Sequence, residues 1–276
     1  MKATTRALVL IASLLFLSAC SLLPKEVDET KGWGAQRFYS EASFAMSDGD
    51  YEKAIEYYEG LEARYPFGRY AMQAQLDVAY AYYKNSEYES AIAAADRFIK
   101  LHPRNQFVDY AYYLKGIVNF NRNIGFFSRF VPTDTSQRDP GTTLDSFNDF
   151  AELVRRFPDS EYSEDARKRL VYLRNNLAMH DVHVARYYMK RGAYLAAANR
   201  CVNVVEKYQR TPAVKEALIT MIEAYDILGL EQLSSDAKRV LALNEAQGNL
   251  EIPTPELEEE PSFGRKVWDY LELDEN

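Results

Sequence analysis

Apolar residues along most of this chain recur every three or four positions. In one stretch the apolar series runs Ala54, Tyr58, Leu61 and Tyr65, with spacings of 4, 3 and 4 residues. This spacing places all four side chains on one face of an α-helix, which has 3.6 residues per turn. Alternating runs of Val, Ile and Thr, which would indicate strands, are absent from the sequence. The pattern therefore predicts an all-α protein.

Turn residues divide the apolar segments into helices that come in pairs. Gly49 and Gly192 separate the two helices of a pair, whereas Pro66, Pro103 and Pro158 close successive pairs, because proline cannot continue a helix interior. The predicted helices cover residues 35–46 and 51–65, 70–84 and 88–101, 107–120 and 142–157, 163–190 and 194–208, and 213–228 and 232–247.

The helix pairs are related by an internal repeat. Residues 49–66 align with residues 86–103 at a constant offset of 37, so that Tyr51 matches Tyr88 and Ala54 matches Ala91. A further copy covers 192–208, and a looser one covers 144–158. A period in the thirties with small and aromatic anchor positions is typical of tetratricopeptide units, which must stack to bury their apolar faces. We therefore expect a solenoid of about five tetratricopeptide-like helix pairs.

The N-terminal segment does not belong to the helical repeats and has the pattern of a signal peptide. Lys2 and Arg6 precede 11 mostly apolar residues, 7–17, which are too few to span a bilayer as a helix. The following "LSAC" resembles the cleavage box of bacterial lipoproteins, which implies a diacylglycerol thioether and an N-acyl group on Cys20. Ser21 after the cysteine resembles the outer-membrane sorting pattern. The alternative is an ordinary cleaved signal with a chance cysteine at this position.

These features give the expected organisation of the chain. Residues 1–19 form a lipoprotein signal peptide, and residues 20–34 form the lipid anchor and tether. The solenoid covers 35–248, with N-terminal repeats at 35–158 and C-terminal repeats at 159–248. Residues 249–276 form an acidic tail whose composition predicts disorder, although 263–273 ("FGRKVWDYLEL") has the pattern of a short amphipathic helix that could lie on a partner.

One repeat carries an insertion. The third pair contains an extra segment at 121–143 that includes an apolar cluster, Phe126, Phe127, Phe130 and Val131. Long loops in compact domains are usually functional or disordered. Two interpretations remain open for this one, a loop folded back on its own solenoid and a loop that binds a partner.

Candidate chemistry is sparse. The net charge of −8 and the lack of a basic stripe argue against nucleic-acid binding. His180 and His183 are spaced to share a metal, but no nearby Cys or His supports a metal site, so we expect exposed helix histidines. Cys201 aligns with Tyr58 and is expected to be buried, with a reactive thiol as the alternative. Without nucleophile, phosphate-loop or redox motifs, the sequence favours a non-enzyme with no metal and no catalytic residue.

The repeats contain specific sequence motifs: "RYPFGRY" (64–70), "YAYYKN" (80–85), "DRFIKLHP" (96–103), "KRLVYLRNNLA" (168–178) and "RGAYLAAANR" (191–200). With the lipoprotein box, this set resembles the BamD family over about residues 7–245. BamD proteins are tetratricopeptide lipoproteins of the outer-membrane β-barrel assembly (BAM) complex. The resemblance does not extend to the tail after Asn249.

The resemblance implies a lipid-anchored outer-membrane subunit that faces the periplasm of a Gram-negative bacterium. It would scaffold the periplasmic domains of BamA, bind the lipoproteins BamC and BamE, and receive unfolded barrel proteins. It implies no nucleic-acid partner and no cofactor beyond the acyl groups on Cys20. The alternative is a different periplasm-facing tetratricopeptide scaffold that regulates cell-wall synthesis or division.

The resemblance also implies site residues. Arg200 matches a family position at the BamA interface, and the alternative for it is a solvated surface arginine. We further hypothesise that aromatic side chains of the N-terminal repeats stack on the aromatic end of a barrel-protein segment while an arginine takes its terminal carboxylate. The alternative for these rings is core packing. The proposed groove comprises Arg64, Tyr65, Phe67, Arg69, Tyr70 and Tyr83.

Overall fold

A computed structural model describes residues 29–122, 134–137, 139–253 and 257 of the chain. The predicted signal peptide and Cys20 lie outside these residues. So do the apolar cluster of the insertion and nearly all of the tail after residue 253.

Within the described residues the secondary structure consists of ten α-helices and one short 3-10 turn, with no strand, and this confirms the all-α prediction. Each helix begins and ends within two residues of its predicted bounds. The helices are α1 Ala35–Asp48, α2 Tyr51–Arg64, α3 Arg69–Lys84, α4 Tyr88–Leu101, α5 Val108–Arg122, α6 Pro140–Arg156, α7 Ser163–Lys190, α8 Tyr194–Lys207, α9 Ala213–Ile227 and α10 Glu231–Ala246.

The packing is that of a tetratricopeptide-like solenoid. Every helix packs against the next one along the chain. First helices of neighbouring pairs also contact one another, as α1 does with α3, α3 with α5, and α7 with α9. Stacking of this kind makes each pair depend on its neighbours for a buried core.

In four of the five helix pairs, the turn within the pair contains a residue in the left-handed backbone region, namely Gly49, Ser86, Gly192 and Gly229. Gly49 has φ of 83°, and the next amide, that of Asp50, donates to the carbonyl of Ala45 at 2.9 Å. This 6→1 bond satisfies a carbonyl at the end of α1 and reverses the chain. In the second pair Ser86, with φ of 64°, occupies the corresponding position and bears a side chain there.

Among the residues that the structure describes, three apolar clusters form the core. One lies among α1–α5, one among α5, α6 and the first half of α7, and one among the second half of α7 and α8–α10. The 28-residue helix α7 therefore joins the N-terminal and C-terminal repeats, because its first half packs with α5 and α6 and its second half packs with α8–α10. Tyr58 and Cys201, which align in the repeat, are both fully buried, as predicted for Cys201.

Candidate functional sites

Five of the six proposed groove residues lie at the turn between α2 and α3. Phe67 stands in this turn with 90% of its surface exposed. Next to it, the Arg69 guanidinium lies 4.8 Å from the centre of the Tyr70 ring and donates to the Tyr70 hydroxyl at 3.0 Å. The Tyr70 ring in turn packs against Tyr39. Phe67 and Arg69 therefore form an exposed aromatic and cationic tip on a packed base.

Arg64 and Tyr65, beside this tip, bind the backbone of the segment that precedes α1. The Arg64 guanidinium donates to the carbonyl of Thr30 at 2.8 Å, and the Tyr65 hydroxyl donates to the carbonyl of Trp33 at 2.7 Å. Trp33 is buried against the rings of Phe38 and Tyr57. These contacts hold the segment that precedes α1 against the end of α2.

Tyr83 is not part of this tip. It lies 13 residues after Tyr70 on α3, which corresponds to about 20 Å along the helix axis. Its ring packs between Tyr80 and Tyr88, and its hydroxyl accepts a hydrogen bond from the Asn121 amide at 2.6 Å. The structure therefore does not bring Tyr83 together with the other five residues in one surface.

Arg200 lies on α8 beside a buried carboxylate of α7. Its Nη1 donates to Asp181 Oδ1 at 2.9 Å, and the Asn203 amide donates to Asp181 Oδ2 at 2.6 Å. The Asp181 side chain is only 11% exposed, whereas that of Arg200 is 47% exposed. Because a guanidinium has five N–H donors, Arg200 can engage a second carboxylate while Asp181 orients it.

Burial controls the chemistry of Cys201, the neighbour of Arg200. Desolvation, with a smaller contribution from the Asp181 carboxylate, raises the pKa of the Cys201 thiol to about 12. A thiol is nucleophilic only as the thiolate. The structure therefore favours a packing role for Cys201 over a reactive one.

The end of the insertion packs on α7, an arrangement that sequence reasoning did not locate. Asn176 donates to the Thr135 hydroxyl at 2.9 Å, and His180 Nδ1 donates to the carbonyl of Ser136 at 3.0 Å. His183 Nε2 lies 3.1 Å from Asp134 Oδ2 and 3.0 Å from Ser136 Oγ. Residues 134–137 are thus folded back on the solenoid, as one of the two interpretations of the insertion predicted.

The prediction of exposed helix histidines was wrong for His180 and His183. Both side chains are partly covered because residues 134–137 lie across them. Hydrogen bonds from Ser136 to Asp134, opposed by a smaller desolvation effect, hold the pKa of the Asp134 carboxyl at about 2. Across the described parts of the chain, no group of three or more His, Cys, Asp or Glu side chains is arranged to hold a metal.

A second feature that the sequence did not reveal is a buried carboxylate in α3. Asp77 accepts hydrogen bonds from the Tyr39 hydroxyl at 2.8 Å and from the Gln73 amide at 3.1 Å. Desolvation, partly offset by these two hydrogen bonds, raises the pKa of Asp77 to about 7. The only sequence signal is a polar residue at a position where the helical period expects an apolar one.

The fold defines the class of protein, an all-α tetratricopeptide-like solenoid. Comparison with known proteins gives the family. The profile of the YfiO family, described as outer membrane lipoprotein, matches residues 33–240. The chain therefore belongs to the YfiO/BamD family of outer membrane lipoproteins. None of the helices that the structure describes is long and apolar enough to cross a membrane.

Relatives from three genera each carry the name outer membrane protein assembly factor BamD. The chain is 45% identical to that of Neisseria meningitidis serogroup A over 233 residues, which is 83% of this chain and 87% of the relative. It is 37% identical to that of Vibrio cholerae over 244 residues, or 88% of this chain and 99% of the relative. Identity to that of Haemophilus influenzae is 32% over 250 residues, covering 91% and 94% of the two chains.

Proposed function

We propose that this protein is a non-enzymatic subunit of the outer-membrane β-barrel assembly complex. It is anchored through acyl groups on Cys20 and faces the periplasm. Its C-terminal repeats hold the periplasmic domains of BamA, it binds BamC and BamE, and its N-terminal repeats receive unfolded barrel proteins. The observation that carries this proposal is the similarity to assembly factors along nearly the whole chain. Their shared name favours this role over a cell-wall scaffold.

The anchor is tested by the two cysteines of the chain, Cys20 and Cys201. Cys20→Ser is expected to abolish metabolic palmitate labelling and outer-membrane recovery. The proposed acyl groups are attached to the Cys20 thiol and to the α-amine that cleavage before Cys20 exposes, and stable anchoring needs more than one acyl chain. Cys201→Ser is the matched control and should keep the label. Wild-type labelling of the Cys20→Ser protein would contradict the proposal.

The contact with BamA is proposed to centre on Arg200. Asp181 is buried and fixes one edge of the guanidinium, so the arginine is held ready for a carboxylate of the partner. An oriented guanidinium loses less side-chain freedom on binding than a free one. Asp181 is in this view a positioning residue for Arg200.

The test is recovery of BamA with the tagged protein from detergent-solubilised membranes. Arg200→Gln should weaken binding by about 2–5 kcal/mol if the partner's carboxylate is buried in the interface. Asp181→Asn should weaken it less, because the arginine remains but is no longer oriented. A glutamate at position 200 is less informative, because it would place a second carboxylate beside Asp181 and destabilise the repeat.

Arg239→Gln provides the control, since Arg239 lies on α10 with 77% of its side chain exposed and pairs with Asp236. Circular dichroism should show unchanged helicity in all three variants. Undiminished BamA recovery with Arg200→Gln would refute the contact.

A further inference from the structure

The last helix of the solenoid, α10, has an apolar flank that no other described helix covers. Helix α10 packs inward through Ser234 and Ala237, which are buried. Leu233, Val240 and Leu243 are 47%, 38% and 57% exposed. Their spacings of seven and three residues place them on one side of the helix. The terminal units of solenoids normally carry a polar outer face. We therefore expect another segment to pack on this apolar flank.

The chain turns back where α10 ends. Gly248 has φ of 67°, its amide donates to the carbonyl of Glu245, and the Asn249 amide donates to the carbonyl of Asn244 at 3.0 Å. The same pair of bonds occurs at Gly229, where the chain leaves α9 and returns as α10. The turn after α10 is therefore of the type that leads the chain back along the preceding helix.

The first residues beyond this turn are consistent with a returning chain. Leu250 and Ile252 are partly buried, and so is Leu257, whereas Asn249, Glu251 and Pro253 are exposed. The family profile ends at residue 240, so the whole tail lies beyond the part of the chain that it matches.

The remaining tail contains one segment with the chemistry to cover the flank. In residues 263–273, Phe263, Val267, Tyr270 and Leu271 follow the spacing i, i+4, i+7, i+8 of an amphipathic helix, and Trp268 lies beside them. Nine residues lie between Pro253 and Phe263, so these two residues can be up to about 35 Å apart. Helix α10 is only about 24 Å long, so the segment can reach any point on it.

We propose that residues 263–273 dock as an amphipathic helix on the Leu233–Val240–Leu243 flank of α10 and cap the solenoid within the same chain. A connection of this length within one chain gives the segment an effective concentration of about a millimolar at the flank, which favours it over the same segment of a second copy. A partner that uses the outer side of α10 would first have to displace this cap. The inference concerns the tail and does not depend on the proposed function.

Trp268 reports directly on the docking. The chain contains two tryptophans, and the other, Trp33, is buried in the first helix pair. The difference in fluorescence between the full-length chain and its Trp268→Phe variant isolates the signal of Trp268. We expect blue-shifted emission and acrylamide quenching severalfold weaker than in a Val240→Gln, Leu243→Gln variant, in which the flank is polar.

The controls separate the proposal from its alternatives. Ser235→Gln changes an exposed residue on another side of α10 and should leave the protection of Trp268 intact. Because Val240 and Leu243 are exposed, circular dichroism should show an unchanged fold in the double variant. Equal quenching in all variants, or protection that survives the double substitution, would overturn the docking on α10. Protection that is lost on dilution together with a dimer in sedimentation would assign the flank to a second copy instead.

Discussion

Asp77 is a carboxylate that the fold keeps away from water. It is 6% exposed, and its two hydrogen bonds come from the neutral side chains of Tyr39 and Gln73. Burial disfavours the charged form, which is why the pKa of Asp77 is raised to about 7 from 3.8. Above about pH 7, Asp77 is therefore ionised inside the N-terminal core.

The expected consequence is a pH-dependent stability. Between about pH 4 and pH 7 the folded protein binds a proton at Asp77 that the unfolded chain releases. The contribution of Asp77 to the free energy of unfolding is therefore full below pH 4 and is lost as the pH rises through 7, by at most about 1.4 kcal/mol per pH unit. Asp77→Asn should remove this slope, as measured by urea denaturation at a series of pH values.

Asp48→Asn, at an exposed position at the end of α1, is the control and should keep the wild-type slope. A wild-type slope in the Asp77→Asn protein would mean that other groups cause the pH dependence.

Among the elements, α5 and α6 are in close contact at Gly116. A Cβ atom placed there would lie 2.5 Å from Phe150 Cε1, well inside van der Waals contact. The Ser146 hydroxyl also donates to the carbonyl of Gly116 at 2.9 Å, so the two helices touch through backbone and ring together. The insertion lies between these two helices in the chain, and their packing holds its ends in place.

Gly116→Ala should therefore destabilise the protein although alanine is the better helix former. Overpacking typically costs about 1–3 kcal/mol, which exceeds the gain in helix propensity of about 1 kcal/mol. Chemical denaturation measures the change. Combining Gly116→Ala with Phe150→Leu tests the cause, because the smaller side chain removes the clash.

The double variant should be more stable than the sum of the two single changes predicts. Strict additivity would show that the methyl group does not meet the Phe150 ring.

At the scale of the whole molecule, the segment before α1 and the α2–α3 turn form one end of the solenoid. Arg64 and Tyr65 hold residues 30–33 there, and Phe67 and Arg69 remain exposed beside them. Thr30, whose carbonyl Arg64 contacts at this end, is ten residues after Cys20, which limits its distance from the proposed anchor to about 35 Å. The proposed peptide site lies at this end.

A peptide with a C-terminal Phe is expected to bind the full-length protein with micromolar-class affinity, measured by fluorescence anisotropy. Replacing that Phe by Ala should weaken binding, because a good aromatic pair contributes about 0.5–1.5 kcal/mol beyond its buried area. Phe67→Ala should have a similar effect, and so should Arg69→Gln if it takes the carboxylate.

Phe44→Ala is the matched control, since Phe44 on α1 is also exposed, at 69%, and lies outside the tip. Equal binding of the Phe-ended and Ala-ended peptides would contradict the proposal that the tip is a substrate site.

The sequence by itself determined the helices and their order. The predicted range 163–190 agrees with Ser163–Lys190, and the buried places of Tyr58 and Cys201 follow from the repeat. These features could be predicted because they depend on neighbours in the chain: the 3.6-residue period, prolines that end helices, and glycines that reverse them. The lipoprotein box is local in the same way.

Only the tertiary structure decided which polar side chains meet. Tyr39 reaches Asp77 across 38 residues, and His183 reaches Asp134 across 49, and neither pair has a spacing that a helical pattern encodes. The same holds for the separation of Tyr83 from the Phe67 tip and for the carboxylate of Asp181 under Arg200. These contacts depend on how successive helix pairs stack and on where the insertion returns. A sequence period places a side chain on a helix face but does not determine which distant residue lies opposite it.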